Sequence, residues 1–247
     1  EWPIYNSGSG DFDVIGGKKQ ASFYQDVVLG SSPMEILVHY PIPEGKREAI
    51  ATWGFPELLK SWTWQGQEGK KLQVVVYTRS KVVKLELNGK VIAEQTVPDN
   101  SITVTFDVDY QPGTLVAKGY ANGKQTCSNT LKTTGTPVAI RMTADRSTIK
   151  ADNNDLSYVN VEIVDAKGNV VPNVDDLEVT SELTGHATIA AVGNGNVADM
   201  SSFQQNHKKV YQGKGLVIVR SKGSAGKITL KAFANGIQKS EISIESK

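Results

Sequence analysis

From Met34 onward the chain alternates. Short runs rich in Val, Ile and Thr exchange apolar and polar residues at every second position, and turn residues interrupt them roughly every 8–12 positions. A period of two sends successive side chains to opposite faces of a strand, so the pattern predicts a mainly β protein. Residues 34–40, 48–53, 72–78, a hairpin over 82–97, 102–108, 114–120 and 124–131 make a first set of strands. Residues 139–144, 158–165, 177–183, 186–192, 215–221, 227–233 and 238–245 make a second. The polar stretch between them, with Gly135 and Pro137, suits a linker. Asn88-Gly89, Asn122-Gly123 and Asn235-Gly236 predict two-residue hairpin turns with positive φ at both central residues. Lys118, Tyr120, Ala121, Asn122 and Gly123 recur in the same spacing as Lys231, Phe233, Ala234, Asn235 and Gly236. This echo suggests two sandwiches of related fold, or convergent hairpin chemistry.

One segment breaks the pattern. Between Gly10 and Gly30, Phe23, Tyr24, Val27 and Val28 form a single apolar stripe at helical spacing, and Gly30 is placed to end the helix. Lys18 and Lys19 stand at its N-terminal end, where the helix dipole disfavours cations. So short a helix depends on packing its stripe against something else, and the β chain that follows offers no obvious surface.

Composition narrows the function classes. A chain of 247 residues can hold two ordinary domains or one large sandwich. With 39% hydrophobic and 21% charged residues it builds a core. The 27 basic and 26 acidic residues are dispersed along the chain, so no field gathers a polyanion and nucleic acid is not an expected partner. Apolar runs stop far short of the ~20 residues that cross a bilayer, which argues against membrane insertion, and an export signal would lie upstream. The lone Cys127 excludes an intrachain disulfide and a thiolate metal site, and its place in an alternating run suggests a small buried strand residue.

The search for chemistry finds little. Asp107 and Asp109 alternate with Phe106, Val108 and Tyr110, which puts both acids on the solvent face of one strand. Asp11 and Asp13 precede the helix and either face a cleft or anchor their loop. His39, His186 and His207 are far apart and lack metal-ligand spacing, and residues 152–157 lack the glycine and ligand alternation of a calcium loop. No metal and no cofactor is expected. Gly193 to Ala198 fits G-x-G-x-x-A, but no amphipathic helix follows, so a long β loop is expected. Trp53, Phe55, Trp62 and Trp64 cluster within a dozen or so residues. Indoles suit the C–H faces of sugar rings, so Trp62, Trp64 and Trp53 are candidate carbohydrate contacts, against the alternative that they fill the first core.

Residues 1–30 also carry a resemblance. The Trp2-Pro3 pair, the glycine-containing loop, and Gly10, Asp13, Gly16, Lys19 and Tyr24 resemble the end of the catalytic (β/α)8 barrel in glycoside hydrolase family 2, the β-galactosidase family. Residues 53–90, with Trp62-x-Trp64, Glu68-Gly69 and Leu87-Asn88-Gly89-Lys90, resemble the domain that follows that barrel, and residues 111–124 its closing hairpin. Residues 140–173 are similar to a bacterial Ig-like module found at the end of such enzymes and in invasin-like adhesins, although the loop after Gly195 departs from the shorter turn of relatives. The resemblance implies a loop-helix barrel remnant over 1–33, a first Ig-like β-sandwich over 34–135 and a second, invasin-like one over 136–247. It implies a parent that cleaves terminal β-galactosides with retention, through two glutamates on earlier barrel strands. No catalytic residue is then expected here, and the partner is the missing catalytic barrel, with weak carbohydrate contact. The family implies a periplasmic or secreted bacterial protein. The competing expectation is an adhesion or surface-display module without enzymatic activity. A small self-contained hydrolase fails for want of an acid, base and nucleophile set.

Overall fold

The computed structural model describes residues 10–50 and 54–247. The chain is mainly β with one short helix, and it divides into two compact units. An N-terminal sandwich holds residues 10–12 and 18–133, and a C-terminal sandwich holds 13–17 and 134–247.

The N-terminal sandwich contains helix α1 (Gln20–Leu29) and strands β1 (Met34–His39), β2 (Leu58–Leu59), β3 (Lys71–Thr78), β4 (Val82–Leu87), β5 (Lys90–Thr96), β6 (Thr103–Asp109), β7 (Thr114–Ala121) and β8 (Lys124–Lys132). Two four-stranded antiparallel sheets, β2-β1-β3-β6 and β5-β4-β7-β8, give an Ig-like arrangement. Alternation decides which side chains meet between them. Val104, Phe106 and Val108 of β6 point inward with Val74 and Val76 of β3, opposite Val83 and Leu85 of β4 and Leu115 and Ala117 of β7.

Strands β1 and β3 depart from alternation because both of their faces are covered. Ile36, Val38, Val74 and Val76 enter the core, while Leu37, Val75 and Tyr77 are buried on the other face beneath Val27, Phe23 and Tyr24 of α1. The helix therefore has a partner in the β chain that follows it, contrary to the sequence-based expectation. The signal was the unbroken apolar runs 36–38 and 74–77, which a strand with one solvated face would not need. Val27 is buried, but Val28, counted in the predicted stripe, is exposed. Gly30 ends the helix at φ 79°, and Lys18 pairs with Asp26 at 2.7 Å.

The strand expected over 48–53 is not formed at 48–50, and 51–53 lie outside the described residues. Side chains hold the segment instead: the Glu48 carboxylate accepts the Glu57 amide at 2.7 Å and meets His39 Nε2 at 3.0 Å. The vacant edge of β1 is taken by the two-residue strand β2.

The C-terminal sandwich contains β9 (Ala139–Ala144), β10 (Thr148–Ile149), β11 (Leu156–Val164), β12 (Glu178–Gly185), β13 (Ala187–Gly193), β14 (His207–Lys209), β15 (Lys214–Ser221), β16 (Gly226–Ala234) and β17 (Ile237–Ser246). Its strands run in the order β13-β15-β11-β9-β17-β16-β12-β14, with β10 on β17. The path doubles back at β9, which is antiparallel to β11 and touches β17 in parallel at Ala139 and Gln238. The two halves enclose one core that includes Val159, Val161, Ile163 and Val219 from one layer and Val179, Ile228, Leu230 and Ile244 from the other.

The hairpin echo is visible, with one correction. Asn122-Gly123 and Asn235-Gly236 both connect their strands as two-residue loops, closed by the pairs Ala121 with Lys124 and Ala234 with Ile237. Asn88 and Asn122 adopt φ of 52° and 51°, as a turn with two positive φ values requires. At the third turn only Gly236 is positive, so that turn is of a different kind from the one expected.

Candidate functional site

The tryptophan segment lies in the core of the N-terminal sandwich. Trp62 is 0% exposed and Trp64 8%. The Trp62 indole donates to the Gln111 carbonyl at 2.9 Å and meets Tyr110 edge-on with centroids 5.0 Å apart. The Trp64 amide donates to the Tyr110 hydroxyl at 3.0 Å, and its indole stands edge-on to Tyr40 at 5.1 Å. The Trp64 indole N–H donates to the Ser61 carbonyl at 3.2 Å. Each ring thus has its polar edge satisfied and its faces packed, the condition under which burial of an indole is favourable. Phe55 is half-exposed beside Tyr24, at 6.3 Å between ring centroids. Trp53 lies outside the described residues.

The acids take structural positions. Asp107 and Asp109 are exposed on β6, opposite the buried Phe106 and Val108. The Asp11 carbonyl accepts the Lys19 amide at 2.8 Å and also the Ser22 hydroxyl, which ties down the start of α1. The Asp13 carboxylate closes its own turn, accepting the Ile15 amide at 2.9 Å and the Gly17 amide at 2.7 Å through one oxygen. In the segment 152–157 the Asp152 carboxylate accepts the amides of Asn154 and Asp155, and Asn153 is at φ 66°, as in a side-chain-stabilised turn. Those backbone hydrogen bonds lower the Asp152 pKa.

The histidines do not converge: His39 meets the Tyr40 carbonyl and Glu48, His186 meets Ser224, and His207 meets Asn206. Among the described residues no group of three or more His, Cys, Asp or Glu side chains is placed to hold a metal ion. Nor is any helix of the described residues long and apolar enough to cross a membrane. Cys127 is half-buried, with its sulfur 3.4 Å from the Ser80 hydroxyl.

The richest polar cluster is one that sequence reasoning missed. After β13 the chain makes an extended loop, with no helix, and ties it down from within. Buried Asn194 donates to the Asp199 carboxylate at 2.7 Å and to the Lys209 carbonyl at 2.8 Å, and its own oxygen accepts the Asn196 amide at 3.0 Å. Lys208, also buried, extends from β14 to Asp199 at 3.1 Å, to the Ser201 carbonyl and hydroxyl at 2.8 and 2.7 Å, and lies over the Phe203 ring. Burial pushes the Asp199 carboxyl up, but hydrogen bonds from the Ser201 hydroxyl and amide and from Asn194, together with Lys208, outweigh it and hold the pKa at about 2. A lysine in a short polar run carries no sequence signal of burial; only the fold supplies its partners.

Comparison with known proteins gives this architecture a context. Residues 140–243 match the family model described as glycoside hydrolase family 2 C-terminal domain 5, and residues 69–127 match one described as a domain of unknown function. A β-galactosidase of Bacteroides ovatus, BoGH2A, is 29% identical over 238 residues, 96% of this chain. The chain is a homologue of family 2 glycosidases. This family 2 homologue spans 27% of the length of the Bacteroides ovatus enzyme. A β-glucuronidase of Formosa agariphila is 27% identical over 74% of the chain, which spans 19% of that protein. Among solved structures, a glycosyl hydrolase family 2 member from Bacteroides cellulosilyticus is 34% identical with a TM-score of 0.89, covering 96% of the family 2 homologue and 31% of the solved chain.

Proposed function

We propose that this chain is a non-catalytic, bracing portion of a β-galactosidase-type family 2 enzyme. In this reading residues 1–33 are the end of a (β/α)8 barrel, and residues 34–135 and 136–247 are the two Ig-like modules that follow it. The enzyme hydrolyses terminal β-galactosides with retention, by a pair of carboxylates on barrel strands outside these residues. The observation that carries the proposal is the alignment of 96% of the chain with a β-galactosidase of which it spans only 27%. The packing of Trp62 and Trp64 supports a bracing role for the aromatic segment. A second reading, in which the substrate is a β-glucuronide, rests on the Formosa agariphila relative. The same kinship supports periplasmic or secreted placement in a bacterium.

The test compares two polypeptides on nitrophenyl β-galactoside and nitrophenyl β-glucuronide. Residues 1–247 alone release no nitrophenol, and the product of the whole reading frame that holds them hydrolyses the galactoside. Release above buffer by residues 1–247 overturns the non-catalytic assignment. A reading frame that encodes further Ig-like modules and no barrel favours the surface-display alternative.

A further inference from the structure

The G-x-G of Gly193-Asn194-Gly195 has no nucleotide to serve, yet both glycines are there for space. Neither has the positive φ that makes glycine necessary for the backbone. Gly195 lacks room for a side chain, and Gly193 has little. A Cβ on Gly195 would stand 2.5 Å from Asp13 Oδ2 and 3.1 Å from its Cγ. A Cβ on Gly193 would stand 3.2 Å from Ile15 Cγ2. We infer that the 193–203 loop is a preformed receptor for the Asp13–Gly17 turn, a clasp within the C-terminal sandwich whose specificity lies in the two glycines.

Each side of the contact is tied down by hydrogen bonds of its own. On the loop side, Asn194, Asp199 and Lys208 fix the backbone around the glycines through the hydrogen bonds already described. On the turn side, Asp13 Oδ1 accepts two amides, and the Asp13 amide donates to the Gly17 carbonyl at 2.8 Å. The carboxylate therefore cannot swing aside for a methyl on residue 195 without releasing Ile15 and Gly17. Gly17 adds a third close approach, since a Cβ there would stand 2.4 Å from Asp13 Oδ2. The Asp13 carboxylate beside Gly195 also places a negative charge against the G-x-G backbone, which disfavours an anionic ligand there. The clasp stands on these contacts whether or not the family reading holds. Where that reading does hold, the gripped turn is the loop that leads out of the last barrel strand.

The test is a double-substitution cycle read by amide hydrogen exchange in residues 1–247. Gly195→Ala is expected to speed exchange at the Ile15 and Gly17 amides about tenfold, the size of one lost charge-assisted hydrogen bond, with the Val159 and Val219 amides unchanged as the sign of an intact fold. Asp13→Ala speeds the same two amides, and adding Gly195→Ala to it speeds them no further. If Gly195→Ala leaves Ile15 and Gly17 unchanged, or speeds them equally with and without Asp13, the clasp is refuted. Should Gly195→Ala fail to fold, the cycle on Gly193→Ala and Ile15→Ala gives the same decision. In that cycle the glycine substitution is harmful only while Ile15 keeps its branched side chain. Nitrophenol release plays no part in either readout, so failure of the clasp and failure of the family reading are separate results.

Discussion

Trp62 is the residue at which a sugar-contact role and a packing role make opposite demands. Its side chain is fully buried, its indole N–H is bonded to the Gln111 carbonyl at 2.9 Å, and Tyr110 packs against it edge-on. Trp62→Ala removes the ring from a close-packed core that relaxes only partly, at about 3–5 kcal/mol. It also leaves the Gln111 carbonyl without its indole donor, which adds roughly 1 kcal/mol. The expected loss is about 4–6 kcal/mol, a large part of the stability of a domain this size. Trp62→Phe, which keeps an aromatic ring and loses the donor, is expected to lose about half as much. Urea unfolding followed by tryptophan fluorescence measures both, with Trp64 as the remaining reporter in the same core. An exposed sugar platform would behave otherwise, changing stability by no more than about 0.5 kcal/mol while abolishing binding. A Trp62→Ala protein that loses less than about 1 kcal/mol, or that loses galactose-dependent NMR shifts while keeping its stability, refutes the packing assignment.

Three further outcomes follow from the same structure. The Asp199 carboxyl titrates at about 2 in the folded protein against an ordinary 3.8, so its contribution of about 2 kcal/mol is complete above about pH 4 and is lost as the pH falls toward 2. Asp199→Asn therefore flattens that part of the urea-midpoint profile, and an unchanged slope contradicts the network drawn around it. Val27→Ala removes two carbons packed on Leu37, Val75 and Tyr77 and is expected to destabilise by about 2 kcal/mol. Val28→Ala, one residue on and exposed, is expected to change stability by less than about 0.5 kcal/mol, and equal losses at the two positions would refute the helix docking. The amides of α1 are accordingly expected to exchange slowly, at rates close to those of β1 and β3, whereas rapid exchange would mean that the helix is not held on the sheet.

Much of the fold is legible from local pattern alone. Alternation over 103–109 identifies which residues of β6 face inward, and the Asn-Gly pairs at 88 and 122 specify their turns, because period-two exposure and positive φ are properties of a few consecutive residues. The C-terminal end of α1 was equally readable from Gly30, while its start, with Lys18 and Lys19 set against the helix dipole, was not. The link to family 2 enzymes came as a resemblance carried by motifs such as Trp62-x-Trp64 and Leu87-Asn88-Gly89-Lys90.

What the chain alone left open was every partnership between residues distant along it. The three tryptophans near residue 60 look the same whether they face sugar or core; only the sheets closing over Trp62 and Trp64 put those two rings inside. The G-x-G over 193–195 reads as part of a β loop because no helix follows it, but only the fold brings Asp13 and Ile15 onto its glycines. Lys208 reads as solvated until Asp199, Ser201 and Phe203 surround it. Composition and periodicity record how each residue relates to its near neighbours, which sufficed for most strands and for the turns at 88 and 122, but not for the segment 48–50, the turn at 235 or the doubly covered faces of β1 and β3. Burial, charge pairing and close backbone approach depend on which segments meet, and that is decided only when the sheets pack.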